Sequence, residues 1–261
     1  MIFYYSGCGN SRHIARRLSE QLGERLAFIP ELLREKPQSI DCQAERSIGF
    51  VMPIYAWASP SLVDEFIKRT EWLHSEGTYI WAAFTCGDDM GLADRRFRSL
   101  LEKCSLHLDA IFCFVMPETY LCFPGFKLDS PQGAAQKLLN AQQKLSVVSD
   151  AIMMRKKIND TVKGTAPWFK TNIIRPLFYA FMTDRGFHVT QDCDHCGLCE
   201  KLCPLKNISL EDGSPRWHSH CTQCMSCYHH CPKNAIQFRK LTLGKGQYYF
   251  GKSLREDKDL I

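Results

Sequence analysis

The run Cys193-Asp194-His195-Cys196-Gly197-Leu198-Cys199-Glu200-Lys201-Leu202-Cys203-Pro204 is matched in spacing by Cys221-Thr222-Gln223-Cys224-Met225-Ser226-Cys227-Tyr228-His229-His230-Cys231-Pro232. Each copy reads C-x-x-C-x-x-C-x-x-x-C-P. A cubane iron–sulfur cluster needs four thiolates at the corners of a tetrahedron, and a C-x-x-C-x-x-C coil supplies three from one short stretch. The fourth cysteine of each run ligates the other cluster. The spacing therefore assigns Cys193, Cys196, Cys199 and Cys231 to one [4Fe–4S] cluster, and Cys221, Cys224, Cys227 and Cys203 to the other. A lone C-x-x-C would also suit a zinc knuckle or a redox pair. Zinc sites, however, use two ligand pairs and require neither a third evenly spaced cysteine nor a following proline. The flanks repeat too: Asn207 and Asn234 follow the Cys-Pro pairs, and Ile208 and Ile236 sit at one offset from Cys203 and Cys231. Those isoleucines are expected to pack over the clusters and keep water off the sulfurs.

From about Phe187 to Lys240 the chain resembles a bacterial two-[4Fe–4S] ferredoxin. The 261 residues leave room for one larger domain beside it. A hydrophobic content of 45% is ordinary for a globular chain, and no apolar run approaches membrane-spanning length. The start, Ile2-Phe3-Tyr4-Tyr5, is strand-like and lacks the basic and apolar regions of a signal peptide. Six cysteines lie outside the two runs: Cys8, Cys42, Cys86, Cys104, Cys113 and Cys122. Their scatter fits reduced, buried thiols and so a cytoplasmic location, and oxygen-labile clusters imply an anaerobic or low-oxygen cell. A net charge of +5 and a pI near 8.5 are too mild for a nucleic-acid stripe. The basic excess is densest between Arg155 and Arg185. It reads first as a solvated helix face, and second as a docking patch for an acidic redox partner.

Residues 1–158 alternate strand and helix patterns. Strands are expected at Ile2–Tyr5, Leu26–Ile29, Ile48–Met52, Tyr79–Phe84 and Ala110–Met116. Ile14, Leu18 and Leu22 form one helix face, and Phe97, Leu100, Leu101 and Cys104 another. Leu138, Leu139, Leu145, Val148 and Ile152 mark a long final helix. Ser59-Pro60 reads as a helix start, with Ser59 as cap and Pro60 at the first helical position. Five strands alternating with helices predict an α/β fold with a doubly wound parallel sheet.

After the first strand comes Ser6-Gly7-Cys8-Gly9-Asn10-Ser11, where glycines, hydroxyls and a helix N-terminus can converge on a phosphate. A dinucleotide fingerprint would need a small residue where Arg12 stands, which argues against NAD. The loop instead resembles the phosphate loop of flavodoxins, (S/T)-x-(S/T)-G-x-(S/T), with Cys8 replacing the middle hydroxyl. A thiol is a weak donor. Two further loops stand where flavodoxins hold the isoalloxazine: Pro53-Ile54-Tyr55-Ala56-Trp57-Ala58 and Thr85-Cys86-Gly87-Asp88-Asp89-Met90-Gly91. The resemblance implies FMN as cofactor. It implies Ser6–Ser11 on the phosphate, Pro53, Tyr55, Ala56 and Trp57 on one side of the ring, and Thr85, Cys86, Gly87 and Asp88 at its polar edge. Cys86 reads equally well as a small packing residue.

The whole chain resembles a group of iron–sulfur flavoproteins of anaerobes, flavodoxin-like domains fused to two-cluster ferredoxins. That resemblance implies a flavodoxin-like domain over 1–158, an apolar connecting segment over 159–186, a ferredoxin domain over 187–240 and a tail over 241–261. The connection, with Trp168, Phe169, Ile173, Ile174, Leu177, Phe178 and Phe181, is too apolar for a free linker and is expected to be a docking helix. The loop 117–132, with Tyr120, Phe123 and Phe126, either covers the flavin or packs on that helix. His195, His218, His220, His229 and His230 are expected at the surface, because both clusters already have four thiolates.

Three functions remain open. The first is electron transfer between the clusters and FMN, with a redox protein as partner. The second is FMN-dependent reduction of a small acceptor of enone or quinone type, with Tyr55, Tyr120 or Asp88 as proton donor and no catalytic residue assigned. The third is a redox sensor or docking protein with a vestigial flavin site.

Overall fold

In the computed structural model, which describes residues 1–181 and 183–252, the expected alternation is present. Strands β1 (Ile2–Tyr4), β2 (Leu26–Phe28), β3 (Ser39–Asp41), β4 (Ser47–Pro53), β5 (Glu71–Leu73), β6 (Tyr79–Cys86) and β7 (Ala110–Val115) are interspersed with helices. These are α1 (Asn10–Leu22), α2 (Ile29–Glu35), α3 (Ser61–Arg69), α4 (Ala93–Glu102) and α5 (Pro131–Met153). Five strands make one parallel sheet in the order β2-β1-β4-β6-β7, the flavodoxin-like doubly wound order. Strands β3 and β5 form a separate parallel pair that has no counterpart among the expected strands, being three residues each with little alternation.

The central strands β4 and β6 are buried almost throughout, as strands covered on both faces must be. On one face α3 and α4 contribute Leu62, Phe66, Ile67, Phe97 and Leu101 to a core with Phe3, Phe50 and Phe84. On the other, α1 and α5 contribute Ile14, Leu18, Leu145 and Val148 around Trp81 and Phe112. Three local expectations are corrected. Ser59 does not cap α3: Pro60 is the N-cap residue, and the Ser59 hydroxyl donates to Asp64 Oδ1 at 2.5 Å. Cys104 lies past the end of α4. Leu139 points outward, so the buried stripe of α5 is narrower than its apolar content suggests.

The connection forms a helix in three parts: α6 (Pro167–Phe169), a π-helical turn (Lys170–Ile174) and α7 (Arg175–Phe181). It is tied to the sheet domain where Leu92 N–H donates to Thr171 Oγ1, and to the cysteine-rich region where Arg239 donates to the Phe181 carbonyl. That region has strand β8 (Phe187–Val189), helix α8 (Leu198–Leu202), strands β9 (Ile208–Glu211) and β10 (Ser214–Trp217), helix α9 (Ser226–His229) and strand β11 (Ile236–Phe238). Strands β8 and β11 pair antiparallel, as do β9 and β10. Of the expected tail, 253–261 lies outside the described residues. Residues 241–252 turn back over the sheet domain, where Phe250 N–H donates to the Cys8 carbonyl and its ring stacks on His13.

Gly49 shows how closely this sheet is packed: a Cβ there would lie 2.3 Å from the buried Trp81 ring. Gly49→Ala is predicted to cost about 1–3 kcal/mol through overpacking, read as a lower midpoint in chemical denaturation with an unchanged slope.

Candidate cofactor cleft and cluster sites

The two cysteine coils repeat in backbone conformation as well as in spacing. His195 and Gln223, at matching positions, both have φ near +58°. Gly197 and Met225 match at +73° and +62°, and Lys206 and Asn234, three residues after each fourth cysteine, at +52° and +50°. Left-handed residues of this kind bend a coil so that amide groups turn toward the sulfurs. Asn207 N–H donates to Cys203 Sγ at 3.2 Å, Gln223 N–H to Cys221 Sγ at 3.2 Å and Ala235 N–H to Cys231 Sγ at 3.3 Å.

Cys203, Cys221, Cys224 and Cys227 line one small cavity of about 20 Å³, with Ile208, Phe187 and Trp217 closing it. This is the foursome expected from the spacing, and Ile208 is its apolar cover. In the other foursome the Cys199 thiol, pushed up to about 11 chiefly by burial, feels Cys231 and Cys193, and Cys196 feels Cys231. Among the described residues, no three His, Cys, Asp or Glu side chains close on a single point as one metal ion would require.

A larger cleft of about 340 Å³ opens at the carboxyl ends of β1, β4, β6 and β7. Of the residues expected there, Ser6, Gly7, Cys8, Asn10, Ser11, Pro53, Tyr55, Ala56, Trp57, Thr85, Cys86, Gly87 and Asp88 all line it. Gly9 does not; it lies behind the loop at φ +93°, where a Cβ would come within 2.9 Å of Phe250 Cβ. Helix α1 starts at Asn10 with no side-chain cap and no acidic residue in its first turn, which suits an anion. Ser6 Oγ accepts from Gly9 N–H, and Ser11 Oγ meets Thr85 Oγ1 at 2.7 Å. The Asn10 amide is occupied, donating to the Pro117 carbonyl and accepting from Tyr248.

The Cys8 departure now has a physical account. Its thiol donates to the Cys224 carbonyl at 3.2 Å, joining the loop to the cluster coil. At Ala56 and Trp57 the backbone is left-handed, and Tyr55 and Ala58 exchange hydrogen bonds across them in a tight turn. Non-glycine residues held in that conformation store strain, which concentrates at functional loops. Cys86, sharing a hydrogen bond with Cys113 and buried, holds its proton. Burial likewise keeps the Tyr55 and Tyr120 phenols protonated.

Several cleft residues escaped the sequence reading. Glu118 borders Gly87, and its carboxyl is raised by burial against the pull of the Tyr120 and Thr119 amides. Lys170 reaches from the connecting helix to Asp89 at 2.5 Å and stands 5.8 Å over the Trp57 ring. Thr222, Gln223, Cys224 and Met225 form one wall. Ile174 and Phe178 of the connection line the cleft, whereas Trp168, Phe169, Ile173, Leu177 and Phe181 are exposed, so its apolar character did not point to Lys170, and nothing in the spacing announced the wall. The loop 117–132 packs on the connecting helix, one of its two expected positions, through Tyr120 against Phe178 of α7, and its Tyr120, Phe123 and Phe126 line the cleft. His229 is not at the surface. It is buried, and its Nε2–H donates to the Thr119 carbonyl while Nδ1 accepts from Tyr248 N–H.

Residues 192–236 match the family model of the 4Fe-4S dicluster domain, so the C-terminal part of the chain is an iron–sulfur domain. No match to a curated protein was found. Among solved structures, a Bacteroides uniformis protein provisionally named as a flavoprotein aligns at 11% identity and a TM-score of 0.36, over 44% of this chain and 88% of its own. The Trp repressor binding protein of Bacillus subtilis aligns at 12% identity and 0.35, over 57% and 96%. An NAD(P)H:quinone oxidoreductase from Methanothermobacter marburgensis aligns at 12% and 0.29, over 56% and 93%. None of the three bears on what this chain binds.

A cysteine-rich unit this small has little core beyond Phe187, Ile208, Tyr228, Ile236 and Phe238. Its folding should therefore depend on metal. Stripping iron with chelator and oxidant is predicted to deprotect amides across 187–240 in hydrogen exchange, while those of β4 and β6 stay protected.

Proposed function

We propose that this chain is a cytoplasmic electron-transfer iron–sulfur flavoprotein of an anaerobic or low-oxygen cell, passing electrons between two [4Fe–4S] clusters and FMN. The observation that supports this reading is the wall of the cleft formed by Thr222–Met225, which brings Cys224, a cysteine of the second run, to the edge of the cleft. The cleft has the size of small-molecule cofactor sites, and its uncapped helix start and strained loop fit a phosphate and a flat ring respectively. Clusters carry one electron each, whereas flavin accepts one or two, so their union converts between one-electron and two-electron chemistry.

In this reading Ser6, Gly7, Ser11 and the first turn of α1 hold the phosphate. Tyr55, Ala56 and Trp57 with Pro53 cover one side of the ring, and the backbone from Thr85 to Asp88 addresses its polar edge. The Lys170–Asp89 ion pair fastens the connecting helix over the opening, which keeps water out. Cys193, Cys196, Cys199 and Cys231 hold one cluster, and Cys221, Cys224, Cys227 and Cys203 the other. The partner on the one-electron side is a redox protein.

A second reading, reduction of an enone or quinone by the flavin, is favoured by one observation. The aromatic wall of Tyr120, Phe123 and Phe126 stands beside Glu118, a carboxyl that burial biases toward its protonated form. Turnover across a panel of enones and quinones with a reduced ferredoxin donor supports this reading, and inertness rejects it.

Protein purified without oxygen is predicted to carry about eight iron and eight sulfide per chain, with one FMN. Full clusters without flavin would reject the relay and leave a docking protein or sensor with a vestigial site.

A further inference from the structure

The two cysteine coils are alike in conformation but not in surroundings. In the first, Cys196 is exposed, and His195 satisfies its ring by bonding Nδ1 to the Gly213 carbonyl at 2.6 Å, within its own domain. In the second, the matching residue Gln223 is 4% exposed and borders the cofactor cleft. Its backbone N–H donates to Cys221 Sγ, and its Oε1 accepts from the Tyr120 hydroxyl at 2.8 Å. Its Nε2, itself buried, has no hydrogen-bond partner among the described residues. A buried amide donor left unpaired is costly, and folded proteins rarely leave one without a use. Around it the same coil approaches the phosphate-type loop closely: Gly7 has room for no Cβ, because Cys224 Cβ would lie 2.7 Å away. Thr222 adds a contact from its hydroxyl to Tyr5 at 3.2 Å.

We propose that Gln223 donates its side-chain amide to a carbonyl or ring-nitrogen acceptor of the flavin in this cleft, and that the cluster bound by Cys203, Cys221, Cys224 and Cys227 is the one that passes electrons to that flavin. This rests on reading the cleft as a flavin site. Gln223 then touches both redox centres, through its backbone on the thiolate side and its carboxamide on the flavin side. Each passage oxidises the near cluster by one electron and reduces the flavin by one. Two passages, with two protons taken from solvent, complete the reduction. The cluster of Cys193, Cys196, Cys199 and Cys231, with Cys196 at the surface, is refilled from an external one-electron donor, dithionite in the assay below.

The test uses the full chain purified without oxygen, with Gln223→Leu, Gln223→Glu and, as a control on the other coil, His195→Gln. FMN affinity, the position of the flavin absorption band, the flavin midpoint potential and iron content are measured for each. Gln223→Leu is expected to weaken FMN binding about tenfold, as the loss of one hydrogen bond does, and to move the flavin band at unchanged iron. Gln223→Glu, which keeps the shape and the acceptor for Tyr120, is expected to lower the flavin midpoint. Flavin reduction by dithionite-reduced clusters slows about tenfold in both, while His195→Gln keeps the parent's flavin affinity, band and midpoint. If Gln223→Leu loses iron, Gln223→Glu decides the matter. Parent-like flavin affinity, band and midpoint in the Gln223 variants, with clusters intact, overturn the proposal. A parent protein that binds no FMN overturns the reading of the cleft and this inference with it, so the two failures are distinguishable.

Discussion

The contact on which this molecule depends is the approach of the second cysteine coil to the turn after β1. Cys224 sits against Gly7 so closely that any side chain there would displace it, and the Cys8 thiol bonds the Cys224 carbonyl. A glycine-rich turn built to let a ligand come near the backbone here also lets a second domain come near. The cysteine that interrupts the hydroxyl pattern of the turn is then the part that grips that domain. One short loop thereby leads into the start of α1 on one side and holds Cys224 on the other.

The rest of the chain fixes that approach from several directions. Tyr5, at the end of β1, meets Thr222, and Tyr120, beyond β7, meets Gln223. His229, buried and neutral, bridges Thr119 and Tyr248. The connecting helix and the chain beyond Lys240 act as two straps, one bonded to Leu92 and the other to Cys8. With each strap short and polar contacts buried at the seam, the separation between cleft and cluster coil is set by packing. A fixed separation is what electron transfer between two centres requires. The apolar residues Trp168, Phe169, Ile173, Leu177 and Phe181 of the connection are exposed and do not contribute to this seam.

How much could be read from the sequence follows from which interactions are local. The cysteine spacing describes a local coil, so the gathering of Cys203, Cys221, Cys224 and Cys227 around one cavity beside Ile208 was legible in the spacing. Hydrophobic runs at Ile48–Met52 and Tyr79–Phe84 marked the buried strands, because strands covered on both faces need no partner pattern to be recognised. The loops at the strand ends were picked out by resemblance to a known phosphate loop, and of the residues expected at the cofactor Gly9 alone does not line the cleft, its Cα facing Phe250 from far along the chain. Gln223, Glu118 and Lys170 were illegible for a common reason. Each becomes a cleft residue through contacts with segments distant in sequence, and polar residues in loops carry no period. His229 misled for the same reason: its histidine-rich surroundings looked solvated, while its partners come from two remote segments. Ser59 erred locally, since the Asp64 carboxylate outcompetes the backbone amides for its hydroxyl.

The central claim is that a cluster and a flavin share one cleft and exchange electrons across it. It is tested most directly by mixing the oxygen-free protein with a reduced one-electron donor protein and following cluster and flavin absorbance on the same trace. The account predicts that the clusters bleach first and the flavin follows within the same chain, at a rate independent of protein concentration. Clusters that reduce fully while the flavin stays oxidised, with a flavin midpoint above theirs, would contradict it.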